Sequence, residues 1–514
     1  CHMLEACGRI MLIDCGMEQG PDIYENQDIP VDAAHIDYVF LTHAHIDHSG
    51  LLPLLYKRGF RGAVFTTYAT WDLCEIMLRD SAHIQMFEAE WRNRKAKRAG
   101  KPEYVPLYTM EDADGVMKLF CGCPYGERIQ ITEEINIRFT DVGHLLGSSC
   151  IEIWLEEVKL LFSGDVGNVH QPILKDPHTV DMADYVIMES TYGDRSHGER
   201  PDYIAALTQI LQETFDRGGN VVIPSFAVGR TQEMLYFIRQ IKEEHRIHGH
   251  DNFPVFVDSP LASKSTTIFR ENFSECYDAE AIALVTKGEN PLAFPGLQIS
   301  ETKEDSVAIN LDSTPKVIIS ASGMCDAGRI RHHLKHNLWR SECLVLFVGY
   351  QAEGTLGRTL YEGAKEVKLF GEEIAVRAEI CTLPGVSGHA DKNGLLDWML
   401  GFTEQRPAQV FVNHGDDGAC TAFVQALTEH GFTAMAPWSG TEYDLAAGAF
   451  TCVTEGVPVR REEPARRPKP VNEHLAALIA AAERLLEAAR GCAGRPNRLL
   501  RGWTEKIEKI TRDM

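Results

Sequence analysis

Short apolar runs that end in polar residues, often next to glycine, recur between residue 10 and residue 193. Four of them are IMLIDCG, YVFLTHAH, KLLFSGDVG and YVIMESTYG. A run of four to eight apolar residues bounded by turn residues indicates a buried strand. A polar side chain at the strand end is typical of a site built from loops on a rigid scaffold. The pattern therefore predicts a β-rich domain with functional side chains at the ends of its strands.

The pattern changes near residue 195. The amphipathic segment PDYIAALTQILQETFDRGG predicts a helix, and the apolar segments NVVIPSF, PKVIISASG and CLVLFVGYQ predict strands. Strands alternating with helices at this spacing indicate a parallel α/β sheet. Segments that end in histidine then return in SGHAD and QVFVNHGD. We therefore expect a second α/β unit, residues 195–375, inserted into a first domain made of residues 1–194 and 376–452.

Both ends of the chain differ from this pattern. The first residues, CHMLEACGRIMLIDCG, are typical of the middle of a sheet, so we expect the N-terminal strand of the first sheet to be missing. After residue 452 the composition becomes charged and proline-rich, and an Ala/Leu-rich helical segment follows. Residues 453–514 are therefore predicted to form a linker and a helical tail.

Composition narrows the cellular setting. The chain has 514 residues, 44 % of them hydrophobic, which is enough for more than one domain. We predict no contact with a membrane, because no apolar run reaches the roughly 20 residues of a membrane helix. The 14 cysteines are irregularly spaced and mostly lie in apolar segments. This usage predicts free thiols in a reducing cytosol, hence a cytoplasmic protein.

The formal charge of −23 disfavours general binding of polyanions. Global charge does not determine the chemistry of a cleft, however, and local basic runs occur at residues 92–98 and 329–336. Binding of nucleic acid therefore stays open at this point.

The segment FLTHAHIDHSG concentrates metal-ligand side chains. His43 and His45 alternate along an extended segment and so project to the same side, and Asp47 and His48 follow on the turn. Imidazole and carboxylate ligands without thiolate suit zinc in a hydrolytic site, and manganese or iron fits the same set. We predict two neighbouring metals, because two ions about 3.5–4 Å apart can share a hydroxide nucleophile and clamp a displacement at phosphorus.

Further candidate ligands follow other apolar runs. They are His144 in DVGHLLGSS, Asp165 in FSGDVG and His414 in VFVNHGD, and each adjoins a glycine. Asp14 in LIDCG is a candidate for orienting a ligand imidazole rather than binding metal.

With these motifs the chain resembles the metallo-β-lactamase superfamily, and the inserted unit narrows the resemblance to the β-CASP nucleases. The segments MESTYG with Glu189, SGHAD with His389 and VFVNHGD with His414 carry the resemblance. PSFAVGRTQE, VDSPLA, ISASGMCDAGR and GYQAEGTLGR extend it over roughly residues 1–452. The chain is similar to bacterial and archaeal homologues of the cleavage and polyadenylation nuclease subunit. The implied fold class is α/β, an αββα metallo-β-lactamase sandwich with an inserted β-CASP domain.

The resemblance also implies roles for these residues. His43, His45 and His144 would hold one zinc ion. Asp47, His48 and His414 would hold a second, and Asp165 would bridge the two. His389, paired with Glu189, would be the general acid. By the same resemblance, the presence of a histidine at position 414 favours RNA over DNA as the substrate.

The turn SASGMCDAGR offers backbone N–H groups between a strand and a helix, which is a natural phosphate cradle. We expect Ser322, Gly323 and Arg329 to contact substrate phosphate there. The alternative is a purely structural turn.

The sequence as a whole predicts a zinc-dependent ribonuclease with two Zn²⁺ per chain that acts on single-stranded RNA, as an endonuclease, a 5′-exonuclease or both. A homodimer is a further option. Two alternatives remain: a metallohydrolase of small esters or thioesters, and a non-catalytic scaffold of RNA processing. The inserted unit of roughly 180 residues argues against the first, and the complete set of ligand positions argues against the second.

Overall fold

The computed structural model of the protein describes residues 1–18, 24–198, 200–383, 385, 387–459 and 473–512. The chain divides into two compact units, Cys1–Gly456 and Val457–Met514. Among the described helices, none combines the length and the apolar character that crossing a membrane requires.

Strands and helices alternate along the first unit, and the described part of the second contains two helices. The strands are β1 (His2–Ala6), β2 (Arg9–Ile13), β3 (Tyr38–Phe40), β4 (Ala63–Thr67), β5 (Phe120–Cys123), β6 (Ile129–Gln130), β7 (Ile135–Asp141), β8 (Ser149–Leu155), β9 (Val158–Phe162), β10 (Tyr185–Met188), β11 (Val221–Pro224), β12 (Val255–Val257), β13 (Leu297–Ile299), β14 (Val317–Ser320), β15 (Leu344–Phe347), β16 (Glu366–Leu369), β17 (Glu372–Ala375), β18 (Glu379–Thr382), β19 (Gln409–Val412), β20 (Ala434–Met435), β21 (Glu442–Asp444) and β22 (Ala449–Cys452). The helices are α1 (Ile46–Ser49), α2 (Leu52–Lys57), α3 (Tyr68–Arg98), α4 (Met110–Met117), α5 (Tyr203–Asp216), α6 (Arg230–Glu243), α7 (Pro260–Glu271), α8 (Phe273–Cys276), α9 (Ala279–Thr286), α10 (Lys303–Leu311), α11 (Ile330–Asn337), α12 (Leu356–Tyr361), α13 (Lys392–Leu400), α14 (Asp417–Glu429), α15 (Glu473–Arg490) and α16 (Asn497–Arg512), with a 3-10 helix at Ala33–His35.

Two sheets packed face to face form the first domain. One has the order β1-β2-β3-β4-β5, and the other has the order β20-β19-β10-β9-β8-β7-β6. Met11 and Ile13 of β2 pack against Ile137 and Ile151 of the facing sheet in one buried core. Leu12, between them, points to the opposite face and packs with the helices that cover it. Because both faces are buried here, β2 is apolar from Ile10 to Ile13 rather than alternating.

Helices cover the outer faces of both sheets. Leu52 of α2 and Leu73 of α3 pack on the first sheet, and Trp398 of α13 and Phe423 of α14 pack on the second. The order helix, sheet, sheet, helix confirms the αββα sandwich that the sequence predicts.

A third sheet is inserted in the chain between β10 and β19. Its order is β13-β12-β14-β11-β15-β18, and every strand pair in it is parallel. Leu211 of α5 and Ile238 of α6 cover one face, and Ile330 and Leu334 of α11 cover the other. Strand β18 pairs with β15 in this sheet, so the inserted sheet extends beyond the predicted limit at residue 375.

The second unit contains α15 and α16. Both helices leave large apolar side chains exposed, among them Leu478, Leu485, Leu499 and Trp503. All 14 cysteines of the chain are free thiols, and eight of them are buried.

Candidate metal centre

The strand ends of the first domain converge on one site. In the second sheet β9, β10 and β19 are parallel, so their carboxyl ends share an edge. Asp165, Glu189 and His414 lie just beyond those three ends. The segment from His43 to His48 follows β3, and α1 turns its last residues back toward the same edge. Residues that are up to 371 positions apart, from His43 to His414, are thus brought together.

One oxygen of Asp165 faces a group of three histidines. Asp165 Oδ2 lies 3.4 Å from His43 Nε2 and 3.5 Å from His144 Nε2. The third ring, His45, places Nδ1 at 3.1 Å from His43 Nε2 and 3.2 Å from His144 Nε2. These four atoms form the first candidate shell.

The other oxygen of Asp165 faces a second group. Asp165 Oδ1 lies 3.2 Å from His48 Nε2 and 3.2 Å from His414 Nε2. Asp47 Oδ2 is 4.0 Å from His414 Nε2. A single carboxylate therefore directs one oxygen to each of two ligand groups.

The spacing and the missing hydrogen bonds both fit bound metal ions. Ligands about 2.0–2.1 Å from a tetrahedral zinc ion are roughly 3.3 Å apart, and the contacts to Asp165 lie between 3.2 and 3.5 Å. Within the described parts of the chain, Asp165 Oδ1 and His48 Nε2 are buried and have no hydrogen-bond partner. Leaving buried polar atoms unpaired is costly, and a cation between them removes that cost.

A neighbouring carboxylate determines which nitrogen of the His48 ring is available. His48 Nδ1 donates to Asp14 Oδ2 at 2.7 Å, which leaves Nε2 as the acceptor. Asp14 also accepts from the backbone N–H of Thr42 at 2.8 Å and from its hydroxyl. Asp14 has a left-handed backbone with φ of 58°, which is uncommon outside glycine and found at functional sites. The geometry is the one expected for a residue that orients a ligand imidazole.

Two orienting groups were missed by sequence reasoning. Thr42 Oγ1 lies 3.1 Å from His43 Nδ1, and the carbonyl of Gly388 lies 3.2 Å from His144 Nδ1. Thr42 could have been found from its position directly before His43. The carbonyl of Gly388 has no sequence signal, because any residue has a carbonyl group.

Gly16 allows the chain after β2 to press against α1. A Cβ atom at this position would lie 1.5 Å from the carbonyl oxygen of Asp47. The backbone N–H of Cys15 donates to the carbonyl of His48 at 2.7 Å. The close approach holds the ligand helix in register with Asp14.

Burial sets the protonation that a metal requires. It lowers the pKa of His43. It also lowers the pKa of His45 to about 3 and the pKa of His144 well below its usual value. Burial by itself would raise the pKa of Asp165, but the surrounding imidazoles, His414 first, bring it well below its usual range. Burial thus favours the neutral imidazole at His43, His45 and His144, the form that binds metal. His48 differs: burial would lower its pKa, but Asp165 and Asp14 outweigh it and raise the pKa well above its usual value, so a metal ion there would displace a proton.

His389 and Glu189 lie beside Asp165. His389 Nδ1 is 3.5 Å from Glu189 Oε1 and 3.9 Å from Asp165 Oδ2. Glu189 is held by the backbone N–H groups of Val166 and Thr191. Burial alone would lower the pKa of His389, but Glu189 outweighs it and the pKa rises to about 9. The three side chains could also hold a metal ion, so geometry alone admits a proton donor or a ligand at His389.

Comparison with known proteins now identifies the family. Sequence profiles match residues 1–60 (Metallo-beta-lactamase superfamily), residues 231–360 (Beta-Casp domain) and residues 373–437 (Zn-dependent metallo-hydrolase RNA specificity domain). The chain is 36 % identical to Ribonuclease TTHA0252 of Thermus thermophilus, over 84 % of this chain and 93 % of that protein. The chain belongs to the β-CASP family of the metallo-β-lactamase superfamily.

Other β-CASP relatives differ in length. An RNase J-like protein of Methanocaldococcus jannaschii is 31 % identical over 82 % of this chain and 90 % of its own length. Transcription termination factor FttA of the same organism is 31 % identical over 81 % of this chain, but the match spans only 65 % of FttA.

The predicted phosphate cradle lies in the inserted β-CASP sheet, after β14. Arg329 donates to Asp258 Oδ1 at 2.7 Å and to the carbonyl of Glu301 at 2.9 Å. Ser322 Oγ donates to the carbonyl of Ala327 at 3.3 Å. None of the hydrogen bonds and ion pairs of the described residues joins this turn to the metal ligands. The engaged guanidinium favours a structural role for Arg329 over contact with phosphate, because Asp258 is fully buried and needs a cation.

Proposed function

We propose that this β-CASP protein is a ribonuclease that hydrolyses phosphodiester bonds of single-stranded RNA with two zinc ions per chain. The observation that carries the proposal is the position of Asp165, whose two oxygens face two separate ligand groups. A dinuclear site is the arrangement that in-line displacement at phosphorus uses. Its similarity to Ribonuclease TTHA0252 over nearly the whole of that protein supports RNA as the substrate.

We assign His43, His45 and His144 to one ion, and Asp47, His48 and His414 to the other. Asp165 belongs to both. When bound, the ions supply a nucleophile at neutral pH and neutralise charge that develops on the phosphate. Manganese or iron would fit the same donor set.

The role of His389 in the proposal is to protonate the leaving oxygen. Glu189 holds its ring through Nδ1 at 3.5 Å, and an imidazole anchored there can donate from Nε2. Its side chain is 22 % exposed, so the ring borders solvent as a donor to a bound substrate must. Glu189 acts through His389 and positions it.

The exposed apolar side chains of α15 and α16 support the further proposal of a homodimer through the tail. Light scattering of the full chain, expected to give twice the chain mass of 57.5 kDa, tests it.

The function is tested with zinc-loaded protein and end-labelled RNA. RNA that carries 5′-phosphate or 5′-hydroxyl, DNA of the same sequence, and small esters or thioesters are compared. We expect cleavage of RNA alone, and the product ends distinguish internal cleavage from 5′-exonuclease action. Hydrolysis of small esters together with a failure to cleave RNA would overturn the proposal. Metal analysis that gives one zinc ion or fewer per chain would overturn the dinuclear site.

A further inference from the structure

One aromatic side chain of the inserted sheet stands out by its exposure. Phe226 is the second residue after β11, and it is 44 % exposed although Ser225, Ala227 and Val228 around it are all buried. Strand β11 is a central strand, between β14 and β15. In open parallel sheets, ligands bind outside the carboxyl ends of the strands, and Phe226 occupies that position.

The loops after the two neighbouring strands, β14 and β15, each place a glycine beside the Phe226 ring. A Cβ atom at Gly323, after β14, would lie 3.2 Å from two carbons of the Phe226 ring. A Cβ atom at Gly349, after β15, would lie 3.7 Å from the ring. Larger residues at either position would cover part of the ring. Tyr350, next to Gly349, is 59 % exposed. The ends of the three strands therefore leave one face of the Phe226 ring open to solvent, whereas an aromatic side chain of this kind is ordinarily buried.

The same segment packs against the metal-ligand loop. Gly229 is the residue just before α6, and a Cβ atom there would lie 3.2 Å from Leu145 Cδ1. Leu145 directly follows the ligand His144 and belongs to the same buried core as Val228. Three residues of chain span at most about 11 Å, so Phe226 lies within that distance of the contact between Gly229 and the loop that carries His144. A strand of RNA at the metals can place a base there.

We propose that Phe226 is a stacking platform for a nucleobase of the RNA next to the cleaved phosphodiester. The inference rests on the proposed ribonuclease function and adds how the β-CASP domain holds the substrate. The metals and His389 act on phosphate groups, whereas the Phe226 ring binds the flat face of a base. Such stacking tolerates all four bases, because each has a π-face.

Binding measurements on the zinc-loaded full chain provide the first test. Phe226→Ala and Phe226→Leu should raise the Kd for fluorescent single-stranded RNA by roughly 5- to 150-fold, the range that alanine substitution gives for stacked bases. Phe226→Trp should restore tight binding, because a larger ring stacks at least as well. Zinc content should stay unchanged, and the loss should be larger in the Kd than in the cleavage rate at saturating RNA. Phe370→Ala removes another exposed aromatic of the inserted domain, 48 % exposed on the β16–β17 turn, and should change nothing.

A scan with abasic nucleotides decides between stacking and a general effect on shape. RNAs with one base removed at successive positions should bind the native protein less tightly at one position near the cleavage site. Phe226→Ala should be insensitive to the missing base at that position alone. If losses from the substitution and from the abasic site simply add at every position, the platform is overturned while RNA cleavage by the native protein still upholds the ribonuclease function. If the native protein neither binds nor cleaves RNA, both proposals fail.

Discussion

Two buried aspartates, Asp165 and Asp258, occupy equivalent places in the two domains and behave differently. Each follows a buried strand, each side chain is at most 2 % exposed, and each contacts histidine. Asp258 accepts from His333 Nε2 at 2.6 Å, from Arg329 at 2.7 Å and from a serine hydroxyl at 2.5 Å. Asp165 Oδ1 has no hydrogen-bond partner among the residues that the structure describes, although two imidazole nitrogens lie 3.2 Å from it.

The different surroundings of Asp165 and Asp258 show how a candidate metal centre can be distinguished from other buried polar clusters. Burial by itself raises the pKa of Asp258, but hydrogen bonds, from His333 first, bring it below its usual value. The cluster around Asp258 is thus neutralised by its own cation and donors. The two oxygens of Asp165 instead face imidazole nitrogens at 3.2–3.5 Å, an arrangement that a bound cation would complete. A histidine beside a buried aspartate does not by itself distinguish the two.

The largest expected effect comes from Asp165→Asn. Losing the shared carboxylate should reduce zinc to at most one ion per chain. Cleavage should fall by on the order of 10³-fold or more, because metal ions contribute several kcal/mol to stabilising the transition state. Metal analysis and single-turnover cleavage of RNA measure both. Asp258→Asn is the matched control, and a loss of zinc in that variant would remove the distinction between the two clusters.

His389→Ala should come next. Cleavage should fall by on the order of 10²–10⁴, the usual scale for a positioned proton donor, while both zinc ions remain. The loss should shrink on a nitrophenolate phosphodiester, whose leaving group needs no proton, and Glu189→Gln should show a milder version. His414→Ala should lose metal instead. Loss of zinc in His389→Ala would make His389 a ligand.

Asp258→Asn should act on stability rather than on catalysis. Breaking a buried charge pair costs about 3–5 kcal/mol of unfolding free energy, measurable by urea titration of the zinc-loaded protein. Because the folded-state pKa of Asp258 lies below the unfolded value, its contribution is present above about pH 4 and is lost as the pH falls further. The variant should therefore lose less stability than the native protein on acidification. An unchanged free energy of unfolding at pH 7 would contradict the network.

Arg329→Ala should have the smallest effect, about 1–3 kcal/mol of unfolding free energy, because the His333 ring and the Ser306 hydroxyl still hydrogen-bond the buried Asp258. The salt dependence of RNA binding should not change. A contact with substrate phosphate would instead lower the slope of log Kd against log salt by about one, which would restore Arg329 to the phosphate cradle.

The ligands that the sequence predicts share a local pattern. His43, His45, Asp47 and His48 lie within six positions, and an extended segment followed by a turn places them together whatever the rest of the chain does. His144, Asp165 and His414 were identified because each follows an apolar run and adjoins glycine. The alternation of strands with helices likewise predicts the inserted parallel sheet. These features depend on short-range periodicity, which can be read directly from the order of the residues.

Only the tertiary structure decided which other polar groups meet. Arg329 and His333 reach Asp258 across 71 and 75 positions of the chain, and no local pattern links them. Phe226 lies in an apolar segment that predicts a buried side chain, and its exposure depends on glycines at the ends of two neighbouring strands. Strand order and register bring such residues together or keep them apart, and both depend on packing between distant segments.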